Sequence, residues 1–190
     1  MSPKRIFIIV VLLVIASVVF YVIRSELYPG LLVNGHQISY GDIRVDWSIA
    51  LHYYDVINQG ASSSQEEIES AVLDTLIQAV LVHGELLRRI GKSDLESMVQ
   101  RKIDESMKGD NLETKVQALY GLSLDAFKKR VLKPQAETEI LESRMILENT
   151  SSSSIDGGFS NWLKEARANA KVLIFVPGFS WNGREVIINR

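Results

Sequence analysis

There is no cysteine in this 190-residue chain. That absence excludes disulfides, a lipid-modified cysteine anchor and thiolate support for a metal site. Histidine is scarce too: His36, His52 and His83 are the whole set. No two of them are spaced as ligands on one helical turn. A phosphate loop, a nucleophile elbow and an HExxH helix are all missing. An excess of positive charge is missing as well. Setting aside Lys4, Arg5 and Arg24 leaves 18 basic against 23 acidic residues, a net charge of −5, which excludes the basic footprint of a nucleic-acid binder.

One long apolar run is present. Ile6 to Ile23, "IFIIVVLLVIASVVFYVI", has 18 residues and no charge. At a helical rise it spans about 27 Å, close to the hydrocarbon thickness of a bilayer. A cleaved leader would have a shorter run with a small-residue site after it, whereas Val14-Ile15-Ala16 lies inside this one. The expectation is an uncleaved transmembrane anchor over 6–23. Lys4 and Arg5 place residues 1–5 in the cytoplasm and the remainder outside, by the positive-inside rule.

The remainder reads as helix bracketed by short strands. "LLVNGHQIS" has Asn34-Gly35 between apolar residues, a hairpin signal. Ser39 and Asp42 resemble a capping box, and Ile43, Trp47, Ala50, Leu51 and Tyr54 share one helical face. Ser64 with Glu67 and Ser93 with Glu96 predict two more boxed helices, with Gly91 and Gly109 as stops. Between Ala71 and Val82 the apolar residues run nearly all round, which predicts the central helix of the core, and Gly84 suggests a close helix neighbour. Ser123 starts a long helix with Pro134 inside it, so a kink or break is expected there. "TSSSSIDGG", residues 150–158, reads as a flexible joint. A closing helix and the strand "KVLIFV" follow over 159–176, and Asn182-Gly183 marks a second hairpin in a tail, 177–190. The expected fold class is mainly α, with short β-strands contributed by both ends and pairing into one sheet.

No reaction centre is visible in this pattern. His83, near the apolar face of the central helix, reads as a hydrogen-bonded core histidine. Glu66, Glu67 and Glu69 are accounted for by the positive end of a helix. No cofactor and no metal site is expected.

The order of segments resembles the SurA N-terminal-domain family, to which PrsA and PpiD also belong. "LLVNGHQISYGDI" is similar to its opening strand, turn and first helix. "LDTLIQAVLVHGELLRRIGKSDLESMV" resembles its central element. "GLSLDAFKKRVLKPQAETEIL" looks like its third, and "FSNWLKEARANAKVLIF" like its closing helix and strand. The likeness covers residues 31–176. It implies a helical chaperone domain on the outer side of a bacterial inner membrane. Many members carry a parvulin-type prolyl isomerase domain between the third element and the closing helix. Here that place holds only "TSSSSIDGG", too short for such a domain.

The function expected on this basis is a membrane-anchored periplasmic or extracytoplasmic chaperone-like module. It would bind non-native or newly exported polypeptides without catalysis. A scaffold subunit gripping one folded partner of an envelope complex is the alternative, and a divergent prolyl isomerase the second. A peptide groove needs adaptable and aromatic side chains. The candidates are Trp47, Tyr54, Met98, Met107, Tyr120, Phe127, Met145 and Trp162.

Overall fold

The computed structural model describes residues 11–14, 28–57, 64–109, 111–149 and 158–189. Residues 11–14 are helical and exposed. The rest of the expected anchor, 6–23, lies outside the described residues, as do 1–5 and the joint from 150 to 157. What is described is mainly helical, with a few short strands.

Strands β1, Pro29–Val33, and β2, His36–Ser39, form the expected hairpin. Asn34 and Gly35 both take positive φ, 51° and 86°, as the two-residue turn requires. Strand β3, Val172–Ile174, pairs antiparallel with the other edge of β1, setting Leu31 opposite Ile174 and Val33 opposite Val172. The two ends therefore meet in one sheet of order β2-β1-β3. Asn34 clasps the junction. Its N–H donates to the Lys171 carbonyl and its Oδ1 accepts from the Lys171 N–H, both at 2.9 Å. Gly30 has no room for a side chain, since a Cβ would lie 2.9 Å from the Tyr40 backbone.

Helix α1, Tyr40–Ile57, follows β2 directly. The Asp42 N–H donates to Ser39 Oγ at 3.1 Å, and the Ser39 hydroxyl donates to Asp42 Oδ2 at 2.7 Å. Helix α2, Gln65–Ile90, carries the complete box: Glu67 N–H to Ser64 Oγ at 3.2 Å, Ser64 N–H to Glu67 Oε2 at 3.0 Å. It is the axis of the fold. Leu73 and Ile77 are wholly buried in a first cluster with Leu31, Val33, Ile43 and Trp47. One half-helix on, Val82 and Leu86 are wholly buried in a second cluster. Among the described residues α2 alone is long and apolar enough to cross a bilayer. It serves both clusters from different sides, which is why it reads as hydrophobic nearly all round.

Helix α3, Lys92–Ser106, begins earlier than Ser93 with Glu96 predicts, and no side chain caps it. Gly91, at φ 76°, both ends α2 and opens α3, so no extended cap residue fits between them. Helix α4, Leu112–Tyr120, and the short α5, Leu124–Phe127, come next; Ser123 Oγ accepts the Ala126 N–H at 3.4 Å. A π-helical turn, Lys128–Leu132, then feeds α6, Lys133–Asn149. Pro134 neither breaks nor sharply ends the helix. Proline has no N–H and its ring crowds the carbonyl four residues back, Arg130; one wider turn accommodates both. Helix α7, Gly158–Asn169, packs on α6 and α2.

The tail is part of the core. Strands β4, Phe179–Trp181, and β5, Val186–Ile188, pair as a hairpin. Asn182-Gly183 does not form a two-residue turn. Asn182 Oδ1 instead accepts the N–H groups of Arg184 at 2.8 Å and Glu185 at 3.0 Å, giving a longer Asx-type loop. Phe179 and Val186 are buried in the first cluster, with the Phe179 ring 6.1 Å from Trp47. Asp74 Oδ1 on α2 accepts from the Val186 N–H at 3.3 Å and from Arg167 on α7 at 3.2 Å. Burial pushes the Asp74 carboxyl up, against the pull of Arg167.

Candidate functional site

A groove of about 630 Å³ runs between α1, α2, the end of α4 and the π-helical turn. Each wall has a sequence reason. From helix α1, Ile49, Ala50, Tyr53 and Tyr54 line the groove. Ala50 and Tyr54 continue the face of Ile43 and Trp47, and Ile49 and Tyr53 sit one position earlier, on its flank. Helix α2 contributes Val72, Leu76 and Ala79, the flank left over once Leu73 and Ile77 have entered the core. Val131 and Pro134 close the far side. The π-helical turn rotates the register of what precedes Pro134, and this turns Arg130 and Val131 toward α1.

Tyrosines dominate one end. The Tyr53 and Tyr120 rings stack with centroids 4.9 Å apart and planes at 17°. Phe127 tilts against Tyr120 at 4.9 Å, and Tyr54 meets Tyr53 edge-on at 6.3 Å. Burial, with the neighbouring Tyr53 hydroxyl, pushes the Tyr120 phenol up, so it remains a hydrogen-bond donor at neutral pH. Rigid rings with polar tips suit a surface that grips apolar side chains and still hydrogen-bonds at its edge.

One ion cluster holds the opposite rim. Arg130 donates from Nη1 to Asp46 Oδ1 at 2.8 Å and from Nη2 to Asp42 Oδ1 at 3.0 Å. Burial pushes the Asp46 carboxyl up, against the pull of the guanidinium. Asp42, nearer solvent, is held below the ordinary range, first by the Ser39 hydroxyl and then by Arg130. The cluster ties the π-helical turn to α1 and fixes the groove's width. His52 does similar service at the far end, its Nε2 lying 3.2 Å from the Ala118 carbonyl.

The expected binding residues divide. Tyr54 and Tyr120 line this groove. Trp162 lines an adjoining groove further along α2. Trp47, Phe127 and Met145 are buried: Trp47 in the first cluster, Met145 in the second, and Phe127 behind Tyr120. Met98 and Met107 are half-buried on the second cluster, Met98 beside a smaller recess formed with Ile140 and Leu147. Tyr53, Leu76, Val131 and Pro134 belong to the groove without having been singled out as binding residues. The available signal was Tyr53, four residues after Ile49 on the flank of the α1 core face. Leu76 and Val131 carry no local mark that separates them from core residues.

His83 has its expected hydrogen bond, Nδ1 lying 3.1 Å from Oε1 of Glu137, a buried carboxylate, but it is not a core histidine: its side chain is 39% exposed and lines the second groove. Among the described residues no group of three His, Asp or Glu could hold a metal ion. No family model matches this chain, and no curated protein or solved structure matches it either.

Proposed function

We propose that the chain is a membrane-anchored, extracytoplasmic chaperone-like module that binds non-native or newly exported polypeptides, without catalysis, in the tyrosine groove. The observation that carries this reading is the row Tyr53, Tyr120 and Phe127 at the head of an apolar groove floored by Leu76 and Ala79. Aromatic anchors with few rotamers and a polar margin grip varied apolar side chains at small entropic cost. The margin here includes Gln78, Gln135 and Thr138; Gln135 Nε2 donates to Glu139 and the Thr138 hydroxyl to the Pro134 carbonyl, which leaves their oxygens as acceptors beside the Gln78 amide. The apolar run Ile6–Ile23 supports membrane attachment, and the order of motifs resembling the SurA N-terminal-domain family supports a bacterial inner-membrane setting. The nine residues "TSSSSIDGG" support the lack of catalysis, because an isomerase domain does not fit in them.

The test uses the full-length chain in detergent and a fluorescently labelled, permanently unfolded protein. Binding is expected, while the same protein in its folded form stays free. Thr75 is exposed on the groove margin, so Thr75→Trp should fold and block the groove. Unchanged binding by that variant refutes the groove. Capture of a single folded envelope protein in stoichiometric amount, with no affinity for unfolded chains, turns the reading to the scaffold alternative. That alternative would use the exposed Leu173 and Phe175 on and beside the edge strand β3. A protease-coupled proline-isomerisation assay is expected to show only the uncatalysed rate.

A further inference from the structure

Further along α2, sharing Leu76 and Ala79 with the tyrosine groove, lies a second groove of about 770 Å³ that the proposed function does not use. Its walls are the β1–β2 hairpin, α2, the start of α6 and α7. The floor is apolar, with Val80 and Trp162, but the rim is basic: Arg88, Lys129 and Lys133 line it. Both carboxylates in the lining are already engaged. Glu85 Oε1 accepts from Arg88 at 2.7 Å and from Arg89 at 2.6 Å. Glu137 Oε1 lies 3.1 Å from His83 Nδ1 and 4.0 Å from Lys133 Nζ. Lys129 is exposed and makes no ion pair among the described residues. With Arg88 held by Glu85 and Lys133 beside Glu137, Lys129 is the rim cation that the groove's carboxylates leave unpaired.

Gly84 is the second observation. It sits inside α2 and lines this groove. A glycine within a helix costs roughly 1 kcal/mol relative to alanine. No packing asks for it, because a Cβ there would meet nothing within 4 Å. The close helix neighbour expected from the sequence is absent. The missing side chain instead leaves the helix backbone bare on the groove floor, where something from outside can approach.

We propose that this groove is a second binding site and that its ligand is an acidic peptide segment, a carboxylate on Lys129 at the rim and an apolar side chain over the bare backbone of Gly84. A small anion would satisfy the rim and leave the apolar floor wet; a chain carrying both kinds of side chain satisfies both.

Fluorescence anisotropy on the full-length chain in detergent tests this. The probes are a labelled peptide of alternating glutamate and leucine and its glutamine counterpart. The glutamate peptide is expected to bind roughly tenfold tighter at low salt, with the difference lost near 1 M salt. Lys129→Glu, an exposed change that leaves the core untouched, should remove the preference. Gly84→Leu should weaken binding while the protein still melts cooperatively. Thr75→Trp, which blocks only the tyrosine groove, should leave acidic-peptide binding intact, so failure of one site is distinguishable from failure of the other. Equal affinity for the two peptides, or a preference that survives Lys129→Glu, overturns the proposal. So does displacement by glutarate at the peptide's own concentration, which would make it a small-acid site.

Discussion

The two grooves flank one helix and are built from opposite materials. The tyrosine groove is walled by stacked rings, and its one arginine, Arg130, is fully engaged by Asp42 and Asp46. The groove over Gly84 has a single indole and a basic rim on which Lys129 is left without an ion pair among the described residues. Yet Leu76, Ala79 and Pro134 line both. The difference comes from what each flank of α2 faces. One flank faces α1, whose Tyr53 and Tyr54 supply rings. The other faces the β1–β2 hairpin and the basic residues that precede and follow Leu132. On the two proposals, a single amphipathic axis would carry two recognition chemistries, one that grips apolar side chains and one that selects charge.

The largest effect should come from breaking what the grooves share. Ile77 is wholly buried, while its neighbour Leu76 is half-buried and lines both grooves. Ile77→Asp would bury an unpaired charge, which costs several kcal/mol, comparable with a domain's entire stability. No cooperative thermal transition is expected from that variant. Leu76→Asp should leave a folded domain with a lowered melting temperature and poor binding in both grooves. If the two variants melt alike, α2 does not divide its faces between core and grooves as described.

A smaller effect separates the grooves. Arg130→Ala leaves Asp46, whose side chain is 20% exposed, without its partner, and unties the π-helical turn from α1. Losing a charge-assisted hydrogen bond in such a place costs about 1.5–3 kcal/mol. The cost should depend on pH with a definite sign. Burial already pushes the Asp46 carboxyl above its unfolded value, and without the guanidinium it goes higher. The folded variant then holds a proton that the unfolded chain has released, so its stability falls as pH rises through that window. Urea unfolding at neutral and mildly acidic pH reads this: the penalty should shrink in acid. A penalty that does not change with pH would mean Asp46 is solvated and the cluster does not set the groove's width.

Local chemistry in the sequence carried much of this architecture and little of the site. Asn34-Gly35 forms its hairpin because two adjacent positive-φ positions admit few other residues. Ser64 and Glu67 form their box because the reciprocal bonds are local. Ser93 fails at the same task because Gly91 joins two helices without an extended residue between them, a fact of tertiary geometry. The tail escaped for a similar reason. Phe179 and Val186 look like any hairpin residues until Trp47 and Asp74, more than a hundred positions earlier, receive them. Tyr54, Tyr120 and Trp162 reached grooves while Trp47, Phe127 and Met145 went to the interior, since an aromatic or methionine at helical spacing serves either purpose. Which one it serves depends on what the other helices bring.

The smallest expected effect has the opposite sign and sharpens the contrast most. Gly84 does not adopt a positive φ, and a Cβ added there meets open space. Alanine at that position is compatible with the helix and restricts the unfolded chain, so Gly84→Ala should raise stability by about 0.5–1 kcal/mol. The added methyl also begins to fill the second groove and does not touch the first. Thermal melts should therefore move up slightly, acidic-peptide affinity should drop, and binding of unfolded protein in the tyrosine groove should stay where it was. A glycine that lowers stability and is relieved by alanine at no functional cost would have no role in recognition. If Gly84→Ala stabilises the chain and leaves acidic-peptide binding unchanged, the bare backbone is not a contact surface, and only the lysine rim would remain to account for that site.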